Sequence, residues 1–263
     1  MKYIAFDTET TGIEPGSRIV ELAGILFDES GVLDIFETLI NPGMPIPADA
    51  TALHGITDEI VQRSGEETYL ALAEFCRWCE PDAILVAHYA SFDTGMMSWA
   101  FQFCGVPQPI GQQVIDTWQI AKHIGATKNN KLITLVEHYG INRAGLAHRA
   151  MNDADACMRY FNLLLKDKRF VRFIPHEHVQ PWADAGHEYS YVAPEVLPES
   201  IASLPALVAD GGDFTFAYHD GKGEHTERTI TPYGWALKGD VVMFHGWCHL
   251  RNSRRTFRAD RVT

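Results

Sequence analysis

Apolar positions change their spacing along the chain, and the changes predict where the elements lie. Ile4-Ala5-Phe6 is an unbroken apolar run that predicts a strand buried on both faces. Residues 18–27, R-I-V-E-L-A-G-I-L-F, predict a long second strand, and residues 33–40 a third after the Ser30-Gly31 turn. Together these three predict an antiparallel meander. A Pro-rich connection at 41–47 follows, then a short helix capped by Thr57 and ending near Gln62, and a helix from about 67 to 79 stopped by Pro81. The run Ala83-Ile84-Leu85-Val86-Ala87 predicts a central strand that leads into a helix carrying Asp93 in its first turn. Val114-Ile115-Asp116-Thr117 predicts a fifth strand, with helices near 118–124 and 134–139. Ala150, Ala154, Cys157, Phe161 and Leu164 then recur at three- and four-residue steps, which predicts an amphipathic helix with Asp153 near its start. Three strands followed by alternating helices and strands make a mixed sheet flanked by helices, an α/β fold.

The pattern loosens between 169 and 213, where Pro175, Pro181, Pro194, Pro198 and Pro205 interrupt it and only 199–208 reads as helical. From Phe214 the period becomes two. Phe214, Phe216 and Tyr218 alternate, Asp220-Gly221 signals a hairpin, and 241–247 and 255–262 continue the alternation. The expected organisation is an α/β domain over 1–170, a Pro-rich linker over 171–198 and a small β domain over 199–263.

Charge supports that division. The 263 residues carry a net charge of −12, yet residues 211–263 hold 8 Lys or Arg against 6 Asp or Glu, leaving −14 for residues 1–210. So acidic a chain does not grip nucleic acid through a broad basic surface, although ions held at a site can still meet phosphates. An apolar fraction of 46% supports a sizeable core. No run has the length of a membrane span and no signal segment precedes Asp7, so the expectation is a cytoplasmic protein with no membrane partner. Five cysteines suggest no disulfide framework, and Cys76 and Cys79 read as two buried thiols on one helix face.

The chemistry concentrates where strands end and helices begin. Asp7 and Glu9 are two residues apart on a strand, so both carboxylates point to one side. Paired carboxylates repel, and a divalent cation relieves them; oxygen ligands of this type favour Mg²⁺ or Mn²⁺. Taken alone, D-T-E is better read as a solvated strand end capped by a Thr-Thr-Gly turn. Asp116 reads as a helix N-cap with Thr117, and Phe92 as core.

Three fragments, D-T-E-T-T-G at 7–12, H-Y-A-S-F-D at 88–93 and H-R-A-M-N-D-A at 148–154, together resemble the motifs of the DEDDh family of 3′–5′ exonucleases. That family includes the proofreading subunit of bacterial DNA polymerase III, ribonuclease T and oligoribonuclease. The resemblance covers about residues 1–170, including L-H-G-I-T at 53–57, and implies a ribonuclease-H-like fold. It also implies that Asp7, Glu9, Asp93 and Asp153 hold two Mg²⁺ or Mn²⁺ ions. His148 would then take the proton of the attacking water, for which a side chain with an ordinary pKa of roughly 6.5 is suited. Thr10, Thr11 and His54 become expected substrate contacts, and the expected partner is a nucleic acid with a free 3′ end. Tyr89 stands where many members carry Asn, and the five-residue step from His148 selects Asp153 over Asp155.

Phe216, Tyr218, Asp220-Gly221, Arg228, Pro232 and the closing R-R-T-F-R-A-D-R-V resemble a WYL domain, which implies a small SH3-like β-barrel. Val242-Met243-Phe244 replaces the triplet that names the domain. Arg251, Arg254, Arg255 and Arg258 then suggest a face for a nucleic acid or nucleotide ligand of this domain, because guanidinium groups pair with phosphates in bidentate fashion. The expectation is a metal-dependent exonuclease acting on 3′ ends, with DNA ahead of RNA. The alternative is a ligand-sensing regulator whose first domain binds ends without turnover.

Overall fold

A computed structural model of the chain describes every residue except 109–111, 143–144, 146, 167–178, 183–188 and 222. The meander forms as the apolar runs require. Strand β1 (Tyr3–Thr10) pairs antiparallel with β2 (Ile19–Asp28), which pairs antiparallel with β3 (Gly31–Asn41). β4 (Glu66–Glu67) extends the outer edge, and β5 (Ile84–Ala87) joins β1 in parallel, followed by β6 (Gln113–Asp116) and β7 (Val179–Pro181). The order of this seven-stranded mixed sheet is β4-β3-β2-β1-β5-β6-β7.

Helices cover both faces. On one side α3 (Thr68–Trp78) and α4 (Ala90–Cys104) pack on Ile4, Phe6 and Leu22; on the other α5 (Thr117–His123), α6 (Leu132–His138) and α7 (Ala150–Lys166) pack on Ala5 and Ile25. Alternation along β1 thus assigns successive residues to different cores, as period two demands. α2 (Asp58–Ser64) is capped by the Thr57 hydroxyl, as expected. Just before it, α1 (Ala48–His54) is a helix the sequence pattern did not signal. Asp116 caps α5 by accepting from the Trp118 and Gln119 amides. Cys79 is buried and Cys76 half-buried, both unpaired and packed on the same core.

The stretch expected as a linker takes part in the fold where it is described; its residues 171–178 and 183–188 lie outside the described residues. β7 adds a strand to the first sheet, Trp182 is fully buried against Phe6 and Phe101, and Ser190 bridges to Leu237. Burial of this large indole offsets part of the entropy lost in ordering the Pro-interrupted segment.

The core of the C-terminal unit includes Leu197, Ile201 and the helix α8 (Leu204–Asp210). Strands β8 (Phe214–His219), β9 (His225–Lys238), β10 (Val241–Cys248) and β11 (Ser253–Arg258) then make an antiparallel sheet in the order β11-β10-β9-β8. Phe214, Phe216 and Tyr218 point into one core with Phe244 and Phe257, while Thr215 and Ala217 face out. Where an SH3-like barrel was expected, the described strands form a four-stranded sheet. After a short 3₁₀ turn the chain end meets its far edge, with Val262 bridging Tyr218.

The two units are in close contact. Gly16 lies against the backbone of Gly234 and Trp235, where a Cβ would come within 2.3 Å of the Trp235 nitrogen. The buried His245 ring, whose pKa burial pushes down to about 4, has Nδ1 2.7 Å from the Pro15 carbonyl oxygen.

Candidate active site

Asp7 and Glu9 stand at the C-terminal end of β1, and the loops that follow β5 and precede α7 bring the remaining groups to them. The buried Asp93, in the first turn of α4, is fixed by Thr8: its Oδ1 accepts from the Thr8 amide at 2.9 Å and from the Thr8 hydroxyl at 2.7 Å. Asp153, in the first turn of α7, accepts the His148 backbone amide on Oδ2 at 3.0 Å. That bond closes the turn between the two residues and accounts for their five-residue step. His148 adopts a left-handed backbone (φ 61°), which aims the exposed imidazole back over β1.

All five expected residues line one cavity of about 420 Å³. Ligand atoms of Glu9, His148 and Asp153 lie within 4.8 Å of one another, while Asp7 and Asp93 line the wall without joining that tight group. Burial, with Asp93, Asp153, Glu9 and Glu21 nearby, holds the Asp7 carboxyl well above the usual carboxylate range. Glu9 is pushed up to about 8 by burial and by Asp153, Glu21 and Asp93. Asp93 is pushed up to about 7, again by burial first, against the lowering effect of its Thr8 bonds. Oxygen donors whose proton affinity is raised first by burial and then by one another's charge suit hard divalent cations, which would compete with those protons. Asp7, Glu9, Asp93 and Asp153 therefore fit the ions that the motifs imply.

The expected substrate contacts divide. Thr10 lines the cavity, with its hydroxyl donating to the Gly12 carbonyl at 2.7 Å. Thr11 is buried, and its hydroxyl accepts the Arg18 amide at 2.9 Å, which commits it to the turn. His54 is buried as well, its Nδ1 accepting the Ile56 amide at 3.0 Å; its neighbour Leu53 reaches the cavity instead. Phe92, expected in the core, is half-buried and lines the cavity. It also borders a second, adjoining hollow of about 270 Å³ with Ile13, Tyr89, Met96, Trp99 and Tyr189.

Three residues at or beside the site, His88, Glu21 and Arg149, carry no functional reading in the sequence. His88 lines the cavity, with its ring nitrogens 3.0 Å from the Thr117 hydroxyl and 2.9 Å from the Asn130 carbonyl oxygen; burial pushes its pKa down to about 4. Glu21, fully buried opposite Glu9 across the β1–β2 ladder, pairs with Arg149 next to His148. The signal was legible: one carboxylate inside an otherwise apolar strand. The arginine face expected of the C-terminal unit does not form as one surface. Arg258 pairs with Asp260, Arg251 and Arg255 are exposed, and Arg254 turns inward to line the acidic cavity.

Comparison with known proteins agrees with this geometry. The exonuclease family model matches residues 4–161, well over half of the chain. The chain belongs to the exonuclease family. Its C-terminal unit is a WYL domain, matched over residues 201–263. The exonuclease unit is similar to the DNA polymerase III subunit epsilon of Treponema pallidum, 32% identical over 167 residues, covering 62% of this chain and 76% of that protein. It is also similar to the PolC-type DNA polymerase III of Listeria innocua, 34% identical over 195 residues, covering 73% of this chain; the chain spans only 13% of that relative. In fold, 94% of the chain superposes on 55% of exonuclease I with a TM-score of 0.61 and 17% identity. The E. coli exonuclease I complex with a dA16 oligonucleotide gives 0.60, with the same coverage and identity. Among the described residues no helix is long and apolar enough to cross a membrane.

Proposed function

We propose that the protein is a metal-dependent 3′–5′ exonuclease that releases nucleoside monophosphates one at a time from nucleic-acid 3′ ends, with DNA ahead of RNA. The observation that carries this reading is the convergence of Asp7, Glu9, Asp93, Asp153 and His148 on one cavity. The upward-shifted carboxyls of Asp7, Glu9 and Asp93 support a site for two Mg²⁺ or Mn²⁺ ions held by the four acids. Such ions, when bound, relieve charge on the phosphoryl oxygens and on the leaving oxygen. DNA is favoured because the similar proteins are named as DNA polymerase III components and because exonuclease I holds a dA16 strand.

The chain's own groups then have defined tasks. His148, beside Glu9 and Asp153, takes a proton from the attacking water as its oxygen bonds to phosphorus. The bond from phosphorus to the 3′ oxygen of the preceding nucleotide breaks, and that oxygen takes a proton from solvent. Phe92, Ile13 and Leu53 offer apolar surface for the terminal base, and Thr10 fixes the turn beneath it. The WYL unit, whose Tyr218–Val262 bridge supports closure into an SH3-like barrel, guides the strand or binds a nucleotide ligand.

Digestion of matched 5′-labelled DNA and RNA oligomers with Mg²⁺, Mn²⁺ or EDTA tests this. A ladder shortening from the 3′ end, lost in EDTA and faster on DNA, is the expected result. Binding of ends with no product under any metal would instead make the protein an end-binding regulator.

A further inference from the structure

Arg254 leaves β11 of the WYL unit and ends in the cavity of the exonuclease unit, where it is the single Lys or Arg among the described lining residues. Its Nη1 donates to Glu14 Oε2 at 2.9 Å, and its Nη2 donates to the Thr11 carbonyl at 3.2 Å and to the Asp49 carboxylate. The side chain is 13% exposed, with the guanidinium 5.6 Å from the centre of the Tyr233 ring. Glu14 Oε2 also accepts the Ile13 amide at 3.0 Å, so one carboxylate ties the turn after β1 to the second unit. The first motif makes room for this arrangement. A Cβ on Gly12 would lie 2.2 Å from Arg254 Nη1.

Glu14 and Asp49 stand on two separate segments of the cavity rim, the turn after β1 and the first turn of α1. Without a cation between them, both would face a polyanionic strand. Divalent ions held by Asp7, Glu9, Asp93 and Asp153 offset the charge of those four acids, whereas Glu14 and Asp49 lie outside that set. We propose that Arg254 is a positioning residue for the substrate strand, supplied by the WYL unit: its single positive charge offsets part of the negative charge of Glu14 and Asp49 at the entrance, and it fixes the turn at 12–14. The proposal deepens the exonuclease reading and rests on it, and it makes the WYL unit part of the active-site cleft.

The test uses the full chain carrying Arg254→Gln, alone and combined with Glu14→Gln and Asp49→Asn. Binding of a fluorescent DNA oligomer with a hydrolysis-resistant phosphorothioate 3′ end is followed by anisotropy over a salt series, with kcat and KM measured on the ordinary oligomer. Arg254→Gln is expected to weaken binding about tenfold at low salt, with the loss shrinking as salt rises, because bare rim charges act chiefly through screened repulsion. The rise is expected in KM more than in kcat, and the triple variant is expected to recover most of the affinity. Wild-type affinity in Arg254→Gln overturns the proposal, and so does a triple variant as weak as the single one. Should Arg254→Gln fail to fold, Arg254→Lys serves instead. It keeps the charge and is expected to bind within about threefold of the wild type, and a tenfold loss there refutes the charge offset. If the wild type releases no nucleotide with either metal, the exonuclease reading fails, while the binding arm still decides the role of Arg254.

Discussion

Arg149 Nε lies 3.0 Å from Glu21 Oε1 and 3.1 Å from Oε2, gripping a carboxylate that is fully buried inside β2. Glu21 also accepts the Ala150 amide at 2.8 Å, so it anchors the start of α7 immediately after His148. Arg149→Met strands a buried charge, and the expected loss is about 2–3 kcal/mol, below that of a fully buried pair because the arginine is partly solvated. Adding Glu21→Gln is expected to restore most of the stability. It is not expected to restore kcat, because the orientation of His148 depends on the anchored turn; denaturant melts and single-turnover rates separate the two effects.

Removing one of the crowded carboxylates has opposite effects on folding and on activity. Burial and four neighbouring acids hold Asp7 protonated beyond the normal range, so Asp7→Asn relieves repulsion. In EDTA the variant is expected to melt a few degrees above the wild type. The stabilisation by Mg²⁺ expected of the wild type is expected to be smaller in the variant, and nucleotide release to fall by a factor on the order of 10³ or more. A wild-type rate in Asp7→Asn would refute the site.

The same shifts set a pH dependence for the metal-free protein. Glu9 at about 8 and Asp93 at about 7 bind protons more tightly folded than unfolded, where carboxyls titrate near 4. The folded state therefore holds more protons between those limits, and stability is expected to fall as pH rises from about 5 to 8 in EDTA. Mg²⁺ takes the place of the protons, so its stabilising effect is expected to grow over the same interval. Thermal melts at several pH values, with and without Mg²⁺, check both slopes.

What could be read beforehand follows a physical division. Period two put Asp7 and Glu9 on one side of β1, and the caps of Thr57 and Asp116 were set by residues adjacent in sequence. Local rules carry such features. In L-H-G-I-T the His54 Nδ1 accepts the Ile56 amide, a contact two residues away that the fragment alone does not reveal. Trp182 looked like linker because its partners, Phe6 and Phe101, are distant in the chain. The sequence groups Arg254 with Arg251, Arg255 and Arg258, yet β11 offers alternate residues to opposite sides, and which side meets the acidic cleft depends on how the two sheets dock.

That docking is itself testable at Gly16, which has a left-handed backbone (φ 81°) and no space for a side chain against Trp235. Gly16→Ala is expected to cost roughly 2 kcal/mol or more from overpacking and strain together. Because the contact joins the units, calorimetry is expected to resolve one melting transition into two. A single, slightly lowered transition would place the coupling elsewhere.

Arg251 and Arg255 remain exposed on the WYL unit, while Arg258 is occupied by Asp260 and Arg254 by Glu14 and Asp49. Only the first two are therefore available to a strand that extends beyond the cavity. Arg251→Glu with Arg255→Glu is expected to raise KM several-fold for long oligomers and to flatten its salt dependence, since two phosphate contacts account for a slope of roughly −1.4 on single strands. Neither residue lines the cavity, so hydrolysis of a dinucleotide is the control. Equal losses on both substrates would mean that the two arginines act on the fold or on the cleft, and that the strand leaves the active site along another surface.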